Sequence, residues 1–245
     1  MSTVAIVQAR IGSTRLRGKV VADLCGDTML ARVVQRLGKA HAIDEIVIAT
    51  TGKPDDDRIV AEASRLGVGS FRGSEHDVLE RYLGAARAFR ATTVVRVTSD
   101  CPLLDPWVVD RVVAALPGAD YASNTHSRMF PRGLDVEAMT IGALEKMGRL
   151  GTSKAAREHV TAFAMEKPEL FEIRQVSAAQ DDSDLRWTVD TDEDLALVRA
   201  LYLRLGLAQT ILPYREVVAY MRANPGLAQI NSHIVQKPTE LNRVA

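Results

Sequence analysis

Short apolar runs rich in β-branched residues alternate with segments of helical length along most of this chain, and no other feature restricts the fold as much. The runs are VAIVQA (4–9), EIVIATT (45–51), GVGSFRG (67–73), TTVVRVTSD (92–100) and a stretch near 185–189 within LRWTVD. Between them lie TMLARVVQRLG (28–38), PDDDRIVAEASRLG (54–67), SEHDVLERYLGAARAF (74–89) and DPWVVDRVVAAL (105–116). Strands separated by helices of this length imply right-handed βαβ crossovers and a mostly parallel sheet covered on both faces. The expectation is therefore an α/β, three-layer architecture.

Local signals mark the helix ends. Asp105 and Pro106 suit the cap and first position of a helix, and Thr191 with Asp194 stands at capping-box spacing before DEDLALVRALYLRLG (192–206). Gly206 ends that helix, and YREVVAYMRANPG (214–226) reads as a last, glycine-terminated one. SKAAREHVTAFAMEK (153–167) reads as one uninterrupted helix. The stretch 121–140 breaks the alternation with turn residues and predicts a small antiparallel hairpin or sheet extension. No repeat and no Pro/Gly/Ser linker appears, so residues 1–245 are read as a single domain.

Composition narrows the function. Thirty-one basic and 31 acidic residues cancel, so the chain lacks the global basic field of a nucleic-acid coat. Its two cysteines, Cys25 and Cys101, form neither a CxxC pair nor a disulfide framework, which fits a reducing compartment. There is no signal-peptide pattern and no apolar run near the roughly 20 residues of a membrane helix. The expectation is a cytoplasmic protein with no membrane and no nucleic-acid partner.

Against that neutral background the first loop is unusual. The first twenty residues contain no acid, and the loop after the first strand carries Arg10, Gly12, Ser13, Arg15, Arg17, Gly18 and Lys19. In open α/β sheets ligands bind beyond the carboxyl ends of the strands, where this loop emerges. It is not a Walker loop, because five residues separate Gly12 from Gly18 and Val20 follows Lys19; GxGxxG is also absent. Backbone N–H groups of a glycine-permitted turn and Arg forks can still hold a triphosphate. A solvated basic loop paired with acids elsewhere is the competing reading.

The stretch VQARIGSTRLRGKV (7–20) resembles the N-terminal signature of the cytidylyltransferases that make CMP-activated sugars, closest to the branch typified by spore coat polysaccharide biosynthesis protein F. RVTSDCPLLDP (96–106), PRGLDVEAM (131–139), REHVT (157–161), WTVDTDEDL (187–195) and NPGLAQIN (224–231) resemble the same branch in the same order. The resemblance implies a nucleotide-diphospho-sugar transferase-like fold. It further implies CTP and a small sugar-like acceptor as substrates, Mg²⁺ as cofactor, and a homodimer whose candidate contact lies around 121–140.

Site residues follow by position. Ala9, Arg10, Gly12, Ser13, Arg15 and Lys19 form the nucleotide loop, with Arg10, Arg15 and Lys19 on the phosphates. Asp100 and Asp190 each close an expected parallel strand, an arrangement that converges two carboxylates on one ion; the resemblance makes them the metal ligands. Asp192 sits where a helix favours an acid in any case. Asp77, Arg81 and Ser99 join the nucleotide side by resemblance, although Ser74 with Asp77 also has capping-box spacing. Arg132, Asp135 and Glu137 alternate after a Pro-Arg-Gly turn and would border the acceptor, as would Glu158 and His159; a solvent-exposed polar hairpin is the alternative.

The chemistry expected is transfer of CMP to an acceptor oxygen with release of pyrophosphate. A glycosyltransferase using an NDP-sugar is the rival, since Asp190-Thr-Asp192 spells DxD, and a non-catalytic nucleotide-binding module is a second rival.

Overall fold

The structure is a computed structural model that describes residues 2–13 and 15–236; Thr14 of the basic loop lies outside them. Seven strands run β1 (Thr3–Gln8), β2 (Glu45–Thr51), β3 (Gly69–Gly73), β4 (Thr93–Thr98), β5 (Tyr121–Ser123), β6 (Glu137–Thr140) and β7 (Ile173–Gln175). They form one sheet in the order β3-β2-β1-β4-β6-β5-β7. Every neighbouring pair is parallel except the two made by β6, which runs against β4 and β5. The antiparallel extension expected at 121–140 is this β5–β6 pair.

Among the described residues ten α-helices accompany the sheet: α1 (Met29–Leu37), α2 (Asp57–Arg65), α3 (Val78–Ala88), α4 (Pro106–Ala114), α5 (Ile141–Leu150), α6 (Lys154–His159), α7 (Ala162–Glu166), α8 (Asp192–Leu205), α9 (Tyr214–Ala223) and α10 (Pro225–Ala228). Side chains alternate across a strand, so β1 splits its residues between two cores. Ala5 and Val7 pack with α1, α4, α8 and α9, while Val4 and Ile6 pack with α3, α5 and α7. Three layers result. No helix among the described residues is long and apolar enough to cross a membrane.

Several caps fall where the residue types ask for them. The hydroxyl of Thr28 accepts from Ala31 N–H at the start of α1, and Asp105 accepts from Trp107 N–H at the start of α4. Thr191 and Asp194 close a reciprocal capping box at α8.

Four expectations need correction. LRWTVD is not a strand; 185–190 is an irregular extended segment that meets the Pro131–Gly133 turn through an isolated bridge between Arg132 and Arg186. The 153–167 helix is broken at Val160, whose φ of 58° and ψ of −64° form a γ-turn closed by Thr161 N–H donating to the His159 carbonyl. Helix α3 starts three residues later than Ser74 suggested: Asp77 is its cap, and the Ser74 hydroxyl accepts from Asp77 N–H. The last helix ends at Ala223, and Gly226 lies inside the short α10. β5 and β6 are interior strands and buried apart from the end of β6, and the exposed part of 121–140 is its tip at His126 and Ser127.

Candidate active site

The basic loop is tied down before it reaches its cations. Asp56, 2% exposed, accepts from Ile11 N–H at 2.8 Å and also holds the Thr51 hydroxyl. Gly18, at φ 72°, lets the chain double back, and both Ser13 and Gly18 donate their N–H groups to the Ile11 carbonyl. Those N–H groups, with Ile11's, are spent inside the protein. Any backbone contact to an anion here would come from the other N–H groups of the loop, such as that of Gly12.

The side chains diverge in role. Arg17 leaves the site, 78% exposed and paired with Asp55. Arg10 reaches toward Glu75 at 3.8 Å. Arg15 turns inward, its Nη2 2.8 Å from Asp190 Oδ2. Lys19 is buried, and its ammonium uses all three donors: Asp100 Oδ2 at 3.0 Å, Asp190 Oδ1 at 2.8 Å and the Val189 carbonyl at 2.7 Å. Burial pushes the Lys19 ammonium toward deprotonation, but Asp100 and Asp190 outweigh it and hold its pKa above the ordinary lysine value.

Asp100 and Asp190 thus converge on one point, although by a different route from the one expected. Asp100 lies two residues beyond β4. Asp190 is placed by the extended segment before it, which is hydrogen-bonded to two neighbours: Trp187 and Thr188 donate to the Arg132 carbonyl, and Val189 donates to the Asp100 carbonyl at 2.9 Å. Gly133, at φ 108°, makes room for that segment; a Cβ there would stand 2.6 Å from Thr188 N. The Pro-Arg-Gly turn therefore holds the Asp190 segment as well as bordering a cavity.

Behind Asp190 stands Arg186, which residue patterns alone did not single out. Its Nη2 bonds Asp190 Oδ2 at 2.9 Å while its guanidinium grips the fully buried Asp194. Asp194 accepts from Asp190 N–H and from Asn231, which also bonds the Arg186 carbonyl. Desolvation raises the Asp190 pKa, and Lys19, Arg15 and Arg186 more than reverse it, leaving the carboxylate acidic. Asp192 is exposed in the first turn of α8 and lines neither cavity described below, so the DxD spelling does not form a site.

Two cavities meet at these aspartates. One, of about 520 Å³, is bounded by Gln8, Ala9, Arg10, Ser13, Arg81 and Ser99, and by Glu158 on α6. The other, of about 750 Å³, is bounded by Arg96, His126, Arg132, Asp135, Glu137 and Thr161. Arg15, Thr98, Asp100, His159 and Asp190 line both. Gly12 and Asp77 line neither. Asp77 caps α3 through Glu80 N–H and binds Arg157 of α6 through its other oxygen. Glu158 borders the first cavity and not, as expected, the acceptor side.

In the first cavity Arg81, 3% exposed, donates Nη1 to the Ser74 carbonyl while its buried Nε has no partner. Burial, then repulsion from Arg10, presses its pKa below the ordinary guanidinium value. In the second, Glu137 is held by Arg96 and accepts from the Tyr121 and Thr161 hydroxyls, each at 2.6 Å. Asp135 is paired with Arg128. Arg132 makes no side-chain hydrogen bond or ion pair among the described residues and faces the 750 Å³ cavity; burial and the nearby Arg128 lower its pKa.

The donor set suits a divalent cation. No group of three or more His, Cys, Asp or Glu forms a metal cluster among the described residues. Mg²⁺ characteristically takes one or two carboxylates and fills its other positions with phosphate oxygens and water. Asp100 and Asp190 could supply that pair. The place between the two carboxylates is held by the Lys19 ammonium, a single positive charge.

Comparison with known proteins identifies the family. The family described as cytidylyltransferase matches residues 4–214. An uncharacterized protein of Methanocaldococcus jannaschii is 35% identical over 241 residues, 97% of each chain. The spore coat polysaccharide biosynthesis protein SpsF of Bacillus subtilis is 32% identical over 232 residues, covering 91% of this chain and 95% of SpsF. The solved structure of a cytidylyltransferase from Leptospira borgpetersenii superposes with a TM-score of 0.89 at 31% identity, covering 94% of this chain and 97% of that one.

Proposed function

The chain belongs to the cytidylyltransferase family, and from that premise we propose that it transfers CMP from CTP to an oxygen of a sugar-like acceptor, releasing pyrophosphate. The observation that carries this reading is the meeting of two cavities at Asp100 and Asp190, one rich in phosphate-grade cations and one lined by Arg132, Asp135 and Glu137. A nucleotide in the first and an acceptor in the second would bring the α-phosphorus and the attacking oxygen together there.

Arg10, Arg15 and Lys19 bind the β- and γ-phosphates and favour the leaving pyrophosphate. To do so, the Lys19 ammonium moves from the two carboxylates to a phosphate oxygen. Asp100 and Asp190 would then hold Mg²⁺, which supplies neutralisation of the charge gathering on the phosphates. Arg186 keeps Asp190 ionised and oriented throughout. Gln8, Ala9, Arg81 and Ser99 border the nucleoside. Arg132 grips an acidic group of the acceptor and Glu137 receives its hydroxyls. The rate enhancement comes from alignment and electrostatics. The similarity to a spore coat polysaccharide protein supports a role in making an activated sugar for a surface glycan.

The test is a thermal-shift titration with CTP, UTP, GTP, ATP and UDP-sugars, each with and without Mg²⁺. A ligand at 100 times its Kd stabilises the fold by about 2.7 kcal/mol. Magnesium-dependent stabilisation selective for CTP is expected, followed by pyrophosphate release in a screen of sugar acids. Stabilisation by UDP-sugars alone would favour sugar transfer instead.

A further inference from the structure

A third cavity, of about 520 Å³, lies on the α1 and α8 side of the molecule and shares no lining residue with the two at Asp100 and Asp190. Its wall includes Arg32, Arg36, Lys39, Tyr202, Gln209 and Thr210, and no acidic residue contributes to it. The volume falls within the ordinary range of small-molecule sites, about 300–1,000 Å³.

The two arginines are unusual for buried cations. Arg32 is 6% and Arg36 2% exposed, yet neither has a carboxylate partner among the described residues. Arg32 donates to the carbonyls of Leu24 and Cys25, to the side-chain oxygen of Gln35 at 3.1 Å and, more weakly, to the carbonyl of Ala208, all of them neutral acceptors. Arg36 donates Nη1 to the Leu104 carbonyl and Nε to the Tyr202 hydroxyl, while its buried Nη2 has no partner. Both guanidiniums lie over the Tyr202 ring, at 5.6 and 5.8 Å from its centroid. Lys39, exposed one turn beyond Arg36, adds a third positive charge at the rim.

Buried charges are normally paired, because desolvating an ion costs several kcal/mol that neutral carbonyls recover only in part. Here three cations converge without one anion, and one guanidinium nitrogen is left over. Carbonyl bonds and the stack on Tyr202 fix the forks in place, so binding an oxyanion costs little further side-chain entropy. We propose that this cavity is a second binding site, distinct from the catalytic one, for a small phosphate-bearing molecule whose phosphate is held by Arg32, Arg36 and Lys39. A phosphate accepts charge-assisted hydrogen bonds from such donors more strongly than a neutral carbonyl does. The space beyond it, bordered by Gln209 and Thr210, suits a hydroxylated remainder.

The test is calorimetric titration of the full chain with inorganic phosphate at fixed ionic strength. Wild type, Lys39→Glu, Arg36→Met and, as a control in the catalytic cleft, Arg10→Ala are compared. Lys39→Glu changes an exposed side chain and should fold normally, so it decides the question even if Arg36→Met is too unstable to titrate. The proposal expects a phosphate site that Arg10→Ala retains and that Lys39→Glu weakens at least tenfold. Phosphate binding equal in affinity and stoichiometry in Lys39→Glu and wild type would overturn it, as would loss of all binding in Arg10→Ala.

Discussion

The backbone N–H of Val189 donates to the carbonyl of Asp100 across 2.9 Å. One main-chain bond therefore sets the spacing of two carboxylates that lie 90 residues apart in sequence. The side chain of Lys19 completes the junction from a third direction, bonding Asp100, Asp190 and the Val189 carbonyl together.

The junction depends on a glycine. Gly133→Ala places a Cβ against the backbone of Trp187 and Thr188 at a positive φ, where neither partner can retreat. We expect a loss of roughly 2–4 kcal/mol of stability. Differential scanning calorimetry should show a fall in Tm of roughly 5–10 °C. A variant as stable as wild type would mean that the Asp190 segment is held elsewhere.

The two aspartates should respond differently to amidation. Asp190 is paired with Lys19, Arg15 and Arg186, so Asp190→Asn leaves Arg15 without its carboxylate and the buried junction one negative charge short, and should cost about 3 kcal/mol of stability as well as turnover. Asp100 is more exposed and is salt-bridged to Lys19 alone. Asp100→Asn should lower kcat by roughly 10²–10³-fold with a stability change below about 1 kcal/mol. Urea unfolding beside pyrophosphate-release kinetics separates the two cases.

Among the described residues Arg132 has no side-chain partner, and it faces the larger cavity. Arg132→Met should raise the KM for an acidic acceptor by about 10–100-fold, the value of one or two lost charge-assisted bonds. The KM for CTP and the melting temperature should stay near wild type. A change in the CTP term would place Arg132 on the nucleotide side.

Tyr82 gives a pH signature remote from the chemistry. Its hydroxyl is fully buried and donates to the Ile6 carbonyl, and burial pushes its pKa from 10.0 to about 12. The folded state keeps the proton after the unfolded chain has lost it. This contribution is therefore complete below pH 10 and disappears as the pH rises to about 12, a change of roughly 3 kcal/mol. Denaturation curves between pH 9 and 12 should be visibly flatter for Tyr82→Phe.

What could be read from residue order was mostly local. EIVIATT is a strand over all seven of its residues, and Thr28, Asp105 and the Thr191–Asp194 pair cap the helices they precede, because capping depends on neighbours within one turn. The convergence of Asp100 and Asp190 was also foreseeable in outline, since both follow apolar runs that the fold must bury.

The failures are tertiary. Leu185, Trp187 and Val189 alternate like a strand and are buried like one, yet the segment pairs with a turn some 55 residues earlier instead of a ladder. Nothing in SKAAREHVTAFAMEK signals a break, having neither glycine nor proline; the Thr161 hydroxyl is engaged by Glu137 of a distant strand, and Val160 takes up the bend. Arg186 was hidden for a similar reason. Its partners Asp190 and Asp194 lie within eight residues, but the extended segment that aims it at them is itself a product of the fold.

The reversal of β6 has one more consequence. Because it alone runs backwards, the loop joining β5 to it, residues 124–136, opens on the edge where β4 ends, and it contributes to the larger cavity but not to the nucleotide-side one. That loop has a stem and a tip. The stem, Pro131 to Gly133, supports the Asp190 segment and cannot change shape without disturbing transfer. The tip, with Thr125 and His126, lines the larger cavity and, among the described residues, is anchored only to Ser123 and Gln175 at the ends of β5 and β7, away from the Asp190 segment. Tip grafts from one such protein to another could therefore exchange acceptor preference as a module, leaving the transfer machinery in register.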